Sequence, residues 1–184
     1  RKTDKGIELR VHPTLIPARR LIANVDGVMN AVVVKGDAVG PTLYYGAGAG
    51  SEPTASAVIA DVVDVVRVLT TDPGNRVPHL AFQPHRLSDI SILPMDEVET
   101  AYYLRMQAID RPGVLADVTK ILGDAGISIE AILQKEPAEG AQHVPIIFLT
   151  QRVQEQFMNK AIRQIEGLDS ISGKVMRIRM ETLA

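Results

Sequence analysis

The sequence contains no cysteine among its 184 residues, which excludes disulfide bridges and thiolate metal sites. This absence fits a reducing compartment, so a cytoplasmic location is expected. Histidine is scarce as well, and its spacing matches no metal-ligand pattern, so no metal site is predicted. The four histidines are His12, His79, His85 and His143.

Long apolar runs and blocks of one charge are also missing. No run is long enough to span a bilayer, so a membrane partner is not expected. The net charge is −2 with both signs mixed along the chain. Because no basic stripe is present, a nucleic-acid partner is not expected either. The length and the 46% hydrophobic content allow one ordinary domain or two small ones.

The opening of the chain is polar and begins with Arg1 rather than Met. Nothing near it has the apolar core and small-residue cleavage site of a signal peptide. The sequence is therefore expected to be a fragment of a longer protein, with part of the chemistry encoded upstream.

The first 71 residues predict short strands followed by one long helix. Residues 7–11 alternate apolar and polar, which predicts a half-buried strand. Residues 31–34 and 39–45 predict two more strands joined by a turn. Ser51 is predicted to cap a helix that ends by residue 72. Its apolar positions recur at helical spacing, and they are valines and one leucine: Val58, Val62, Val65, Val66 and Leu69. Valine has poor helix propensity, so this helix should depend on packing against a larger neighbour.

Residues 72–98 are rich in proline and lack sustained periodicity, which predicts a linker. Its apolar content indicates that it lies against a domain surface. His79 and His85 flank Phe82 in this stretch and are interpreted as surface or packing residues rather than ligands.

Residues 99–184 have a more regular pattern. Strands are predicted at 102–109, 127–134, 144–150 and 176–180, with helices at 114–125 and 153–167 and a polar loop at 136–142. The resulting order is βαββαβ, the ferredoxin-like pattern. The predicted class is thus α+β, a ferredoxin-like domain preceded by a partial α/β segment. Arg177 and Arg179 alternate with apolar residues and are expected on an exposed strand face.

Three glycines, Gly46, Gly48 and Gly50, immediately precede the first helix. They would let the backbone approach a ligand, and the helix N-terminus favours an anion such as a phosphate. The spacing departs from the dinucleotide fingerprint, so a plain strand-to-helix turn remains the alternative. Asp61 and Asp64 share a face of the helix and could act as a carboxylate pair, or they could simply be solvated.

The second candidate site is the run Asp110-Arg111-Pro112-Gly113-Val114-Leu115. Asp110 can cap the following helix, and Gly113 leaves room over its N-terminus. A small zwitterion could place its carboxylate on the helix amides and its ammonium group on Asp110. A well-capped helix without a ligand is the equal alternative.

Residues 5–71 resemble the end of the homoserine dehydrogenase catalytic region. The resemblance is carried by Tyr45-Gly46-Ala47-Gly48-Ala49-Gly50-Ser51-Glu52-Pro53-Thr54-Ala55-Ser56-Ala57-Val58 with Asp61, and by the preceding runs at 11–17 and 24–31. Residues 99–184 resemble an ACT domain, whose ligand-loop signature is matched by residues 110–115. The implied domains are a C-terminal catalytic part at 1–71, a linker at 72–98 and an ACT regulatory domain at 99–184.

The resemblance implies interconversion of L-homoserine and L-aspartate 4-semialdehyde with NADP or NAD. It implies cofactor contacts at Gly50, with Gly48 and Thr54 as weaker candidates. The family's catalytic Lys and Asp are expected upstream, so no catalytic residue is assigned here, and Lys2 and Lys5 are not that lysine. The fragment alone is expected to bind no cofactor well and to be inactive.

The resemblance also implies feedback sensing by a homo-oligomer through pairing of ACT domains. The expected effector is an amino acid, L-threonine, with Asp110, Gly113, Val114 and Leu115 as its contacts. The alternatives are a stand-alone amino-acid-binding or dimerisation module without an enzymatic parent, and an ACT domain that only assembles subunits.

Overall fold

The computed structural model describes residues 1–76, 82–134 and 142–183. His79 and most of the predicted polar loop at 136–142 lie outside these residues. By contacts the chain divides into two compact units. The first unit combines Arg1–Pro17 with Ile90–Ala184, and the second is Ala18–Asp89. This division rests on contacts and not on family resemblance, so the domain limits at 71 and 98 remain a prediction.

The first unit is built on one mixed sheet. Its long strands are β6 (Glu99–Ile109), β7 (Ile129–Gln134), β8 (His143–Thr150) and β10 (Ile171–Met180). Two helices, α2 (Val114–Asp124) and α3 (Glu155–Glu166), complete the order βαββαβ. The strand order is β3-β10-β6-β8-β7, in which β3 is the two-residue strand Thr14–Leu15 and pairs with β10 in parallel. The ferredoxin-like prediction is confirmed.

Shorter strands complete this unit. They are β1 (Lys2–Thr3), β2 (Gly6–Ile7) and β9 (Val153–Gln154), which pairs with the start of β6. The core forms because alternate residues of each long strand and the apolar stripe of each helix face one another. Its largest fully buried members are Tyr102, Phe148, Leu104, Met106, Leu122, Ile146, Met158 and Ile165.

The second unit contains a hairpin and a helix. The hairpin pairs β4 (Met29–Gly36) with β5 (Gly40–Ala47) in antiparallel register, which confirms both predicted strands. Helix α1 (Ser51–Thr70) follows, and none of its side chains is buried. Short 3-10 turns lie at 21–24, 73–75, 84–86 and 95–97. In the part of the chain that is described, no helix is long and apolar enough to cross a membrane.

The predicted strand at residues 7–11 is wrong in extent and in phase. Only Ile7 is in a strand, and the buried side chain is that of Glu8, whereas Leu9 and Val11 are exposed. The reason is electrostatic: Glu8 and Arg10 face each other and Glu181. Alternation of apolar and polar residues identifies the two faces of a strand. It cannot show which face is buried when the charged residues pair with residues distant in sequence.

Candidate functional sites

The glycine run lies at the junction of β5 and α1. Gly50 is the N-cap of α1 and has a φ of +124°, a conformation that only glycine adopts without strain. The predicted cap is therefore wrong, because Ser51 is already the first helical residue and no side chain caps this end. Gly48 donates its amide to the Val28 carbonyl, and a Cβ there would lie 2.1 Å from the Asn30 side-chain nitrogen.

This junction offers a ligand fewer free backbone amides than an ordinary helix N-terminus does. Pro53 at the third helical position has no N–H, and Thr54 donates its amide to the Gly50 carbonyl. The amides of Ser51 and Glu52 are what remains for a ligand, and the Glu52 carboxylate beside them would oppose an anion. The exposed glycines would thus serve a cofactor mainly through close backbone approach.

One member of the carboxylate pair on α1 has a neighbouring partner on the same helix. Asp64 accepts a hydrogen bond from Arg67 Nη1 at 3.2 Å, and both side chains are exposed. Asp61 is exposed as well. The solvated interpretation of this pair fits these observations.

The second candidate site lies between the end of β6 and the start of α2. Gly113 is the N-cap of α2 with a φ of +95°, and a Cβ built on it would meet nothing within 4 Å. Glycine is therefore required here by the backbone conformation and not by lack of space. The prediction that Asp110 caps the helix is wrong, because α2 begins four residues later and has no side-chain cap.

Without a side-chain cap, this end of α2 keeps its hydrogen-bonding capacity. The amides of Val114, Leu115 and Ala116 are the first three of the helix, and none is a proline. Asp110 is exposed, and no partner for its carboxylate is found among the residues that the structure describes. The loop therefore presents three amide donors and one carboxylate acceptor, which suits a small zwitterion. Val114 is buried and Leu115 is partly exposed, so of these two residues Leu115 is the one that could add an apolar contact.

A buried charge cluster, which we call the Glu155 cluster, was not predicted. Glu155 is the first residue of α3 and is 3% exposed. Arg179 donates to both of its carboxylate oxygens at 3.0 and 2.6 Å, and the Tyr102 hydroxyl donates at 2.6 Å. Arg177 lies 3.0 Å from the same carboxylate and 5.8 Å from the centre of the Tyr102 ring.

These contacts set the protonation of the cluster. Burial alone would raise the pKa of Glu155, but hydrogen bonds from Arg179 and Tyr102 and the charge of Arg177 hold this pKa below its usual value. Burial raises the pKa of Tyr102, and the hydrogen bond to Glu155 raises it further. The cluster therefore combines an ionised carboxylate with a neutral phenol.

The expectation that Arg177 and Arg179 form an exposed strand face is wrong. In the register of β10 with β6, they lie beside Leu104 and Tyr102, on the face that the helices cover. Met176, which precedes Arg177 on β10, is 48% exposed. The sequence gives no local signal for the cluster, because Glu155 lies between two glutamines and its partners lie more than twenty residues away.

The sequence-predicted residues thus form two local groups. Gly48, Gly50 and Thr54 come together at the junction of β5 and α1, in the second unit. Asp110, Gly113, Val114 and Leu115 come together at the junction of β6 and α2, in the first.

Two protein-family models match the chain, one in each part. Residues 102–167 match the ACT domain family model, so the sheet with its two helices is of the class of regulatory domains that sense amino acids. Residues 2–63 match the homoserine dehydrogenase family model. The chain belongs to the homoserine dehydrogenase family, here with an ACT domain.

Individual relatives agree along the whole chain. It is 65% identical over 183 residues to a homoserine dehydrogenase of Pseudomonas aeruginosa, covering all of this chain and 42% of that protein. It is 58% identical over 184 residues to that of Methylobacillus glycogenes, covering all of this chain and 43% of that protein. The crystal structure of a homoserine dehydrogenase from Thiobacillus denitrificans matches with a TM-score of 0.90 and 66% identity, covering all of this chain and 41% of that one. The chain thus spans about two fifths of the relatives' length.

Proposed function

We propose that the chain is the part of an NAD(P)-dependent homoserine dehydrogenase that lines the cofactor cleft and carries the feedback sensor. The enzyme would interconvert L-homoserine and L-aspartate 4-semialdehyde in the cytoplasm. The observation that carries this proposal is 65% identity over the whole chain, with both family models matched in order. The catalytic Lys and Asp would lie in the part of the enzyme outside this chain. Lys2 and Lys5 are exposed on a short hairpin, which supports leaving them out of the chemistry.

The cofactor would contact the junction of β5 and α1. Gly50 is the first candidate because it is exposed and its positive φ favours a residue without a side chain, so a ligand can approach the backbone. Gly48 and Thr54 flank it and are exposed as well. Because this junction keeps few free amides and lies beside Glu52, the phosphates would be held mainly by other parts of the enzyme. The choice between NAD and NADP would lie there too.

The effector would bind at the junction of β6 and α2, and we propose L-threonine. Its carboxylate would accept hydrogen bonds from the amides at Val114 and Leu115, at the positive end of the α2 dipole. Its ammonium group would face the unengaged carboxylate of Asp110. The open space over Gly113 supports this arrangement, because a Cβ there would not be crowded by protein and a ligand can approach.

Pairing of ACT domains would make the enzyme a homo-oligomer. One edge of the sheet is covered at its end, where the two-residue β3 pairs with Arg179 and Met180 of β10. The other edge strand, β7, has one neighbour in the described residues, β8. An unpaired edge is a template for strand addition, and two copies related by a twofold axis would join at β7. An ACT domain that only assembles subunits is the second candidate, and the open β7 edge is the observation that favours it.

Titration calorimetry and thermal melts with L-threonine, with the mass of the assembly monitored, test these proposals. Wild-type protein should release saturable heat, and ligand at about ten times Kd should add about 1.4 kcal/mol of stability. Asp110→Ala should remove both effects. Asp124→Ala is the matched control, because Asp124 is an exposed carboxylate at the opposite end of α2. A dimer that neither releases heat nor gains stability at millimolar threonine would support assembly alone.

A further inference from the structure

The first seventeen residues belong to one part of the molecule by family and to another by structure. The homoserine dehydrogenase model covers residues 2–63, which assigns them to the catalytic part of the family. In the structure, however, Arg1–Pro17, called here the N-terminal segment, forms a compact unit with Ile90–Ala184. A stretch of catalytic-family sequence is therefore built into the regulatory unit.

Main-chain hydrogen bonds hold the N-terminal segment at two places. Ile7 donates its amide to Ser91 and accepts from Leu93, both at 2.9 Å, just before the chain enters β6. The contact at Gly6 is too close for a side chain, since a Cβ there would lie 2.3 Å from the Ser91 carbonyl oxygen.

The second place is the end of β10. Thr14 and Leu15 extend the sheet beside Arg179 and Met180, and Leu15 accepts the amide of Glu181 at 3.0 Å. The sheet of the ACT domain thus gains one strand, β3, from outside the residues that match the ACT model.

A charge cluster, called here the Arg10 cluster, lies at this same end of β10. Arg10 Nη2 donates to Glu181 Oε1 at 2.6 Å and lies 3.5 Å from Glu8 Oε2. The Glu8 side chain is 6% exposed and the Arg10 side chain 12%. Partly buried charges of this kind hold their partners in one geometry, because separation would leave a charge without compensation.

Strand β10 connects the Arg10 cluster to the rest of the ACT domain. The backbone of Arg179 pairs with Thr14, and its side chain holds Glu155 at the start of α3. Glu155 accepts from Tyr102 of β6, and β6 leads directly to Asp110 in the candidate effector loop. One continuous set of strand pairings and buried hydrogen bonds therefore joins the effector loop to the N-terminal segment.

We propose that the N-terminal segment is the mechanical link through which the ACT domain's state reaches the catalytic region. The chain continues from Pro17 directly into the second unit, so the segment is covalently joined to both units. This inference rests on the proposed effector function for its regulatory part. Its structural part, that the segment opens and closes together with β10, stands independently.

Amide hydrogen exchange on the 184-residue chain tests the structural part. Arg10→Met should speed exchange at Leu15 and Glu181 together, by about tenfold or more, and leave β8 unchanged. Lys174→Met is the control, because Lys174 lies on β10 and makes an exposed ion pair with Glu166 at the end of α3. If Leu15 already exchanges independently of Glu181 in the wild type, or if Arg10→Met alters neither, the proposal is overturned.

Kinetics of the complete enzyme test the regulatory part. With L-threonine as the probe, Arg10→Met should bind threonine with an unchanged isotherm and keep the kcat measured without threonine. It should lose at least half of the change in activity that threonine causes in the wild type. Arg10→Lys should restore part of this change. An unchanged threonine response in Arg10→Met and Glu181→Gln would overturn the link while leaving the effector site intact. A wild-type enzyme that does not bind threonine would instead contradict the proposed effector, and the exchange experiment would then decide on the link alone.

Discussion

The two compact units differ in what their apolar residues do. The first unit contains every buried side chain found in the described residues, including the seventeen buried hydrophobic ones. The second unit is also rich in valine, leucine and tyrosine, yet its described side chains are all at least partly exposed. Exposed members on α1 include Val58, Ile59, Val62, Val65, Val66 and Leu69.

This difference indicates that the second unit is shaped for packing against protein outside this chain. Monomeric proteins rarely expose apolar surface on this scale, and a valine-rich helix has little stability of its own. Because the chain spans about two fifths of its relatives' length, the covering surface is expected in the remainder of the enzyme. The first unit, called here the ACT unit, in contrast buries its apolar residues in a core formed within this chain.

Limited proteolysis of the 184-residue chain should show the largest effect. A nonspecific protease should cut the second unit at least about a hundred-fold faster than β6, β8 or α3, because opening a region without a core costs little free energy. Mass spectrometry of the fragments over time measures the two rates. Equal protection of α1 and α3 would mean that the second unit is stable by itself, and the comparison would fail.

Truncation of one apolar side chain in each unit sharpens the contrast. Phe148→Ala should lower the free energy of unfolding by about 3–5 kcal/mol, since the side chain is fully buried. Val62→Ala, at a position 52% exposed, should change it by less than about 0.5 kcal/mol. Urea unfolding followed by circular dichroism measures both. A large loss from Val62→Ala would reveal packing of α1 that the isolated chain does not show.

The same contrast explains which features could be predicted from sequence. The ACT fold follows from periodicity because its apolar stripes are buried within the chain that encodes them. The positions of Arg10, Arg177 and Arg179 could not be predicted, since each depends on a charged partner distant in sequence. The burial of Glu8 could not be predicted either, because it accompanies that of Arg10. Both helix caps were predicted at polar residues, whereas the structure uses glycines at positive φ, Gly50 and Gly113. Both glycine-containing runs were expected just before a helix, where the structure has them, but the way their backbones present donors was not predicted.

Removal of the Glu155 charge tests how much the ACT unit depends on its buried polar contacts. Glu155→Gln should lower the free energy of unfolding at neutral pH by about 3 kcal/mol, because two arginines lose their compensating charge. Glu166→Gln is the matched control: it weakens an ion pair to the exposed Lys174 and should cost less than about 1 kcal/mol. Equal losses would show that burial of Glu155 adds nothing.

The same pair of variants has a predicted pH dependence. The folded-state pKa of Glu155 lies below its usual value of 4.5, so the unfolded chain takes up this proton first as the pH falls. The stability that the charge contributes is present above pH 4.5 and is lost as the pH falls from there through the folded-state pKa. The difference between wild type and Glu155→Gln should therefore shrink in acid, as measured by thermal melts across this range. A difference that stays constant would exclude the charge as its source.

The smallest expected changes in stability come from alanine substitutions at the two glycine-containing junctions. Gly113→Ala should destabilise the ACT unit by about 1 kcal/mol through its φ of +95° alone, because the added Cβ meets no atom. Gly48→Ala meets only the Asn30 side chain, which can turn away, so its cost in this chain should be about 0.5 kcal/mol or less. In the complete enzyme, the same Gly48→Ala change should raise the KM for the nicotinamide cofactor, since a methyl group would stand where the backbone is proposed to approach it. If Gly48→Ala leaves this KM unchanged while Gly50→Ala raises it, only Gly50 of the two glycines contacts the cofactor. If neither variant raises the KM, the junction of β5 and α1 is a plain strand-to-helix turn.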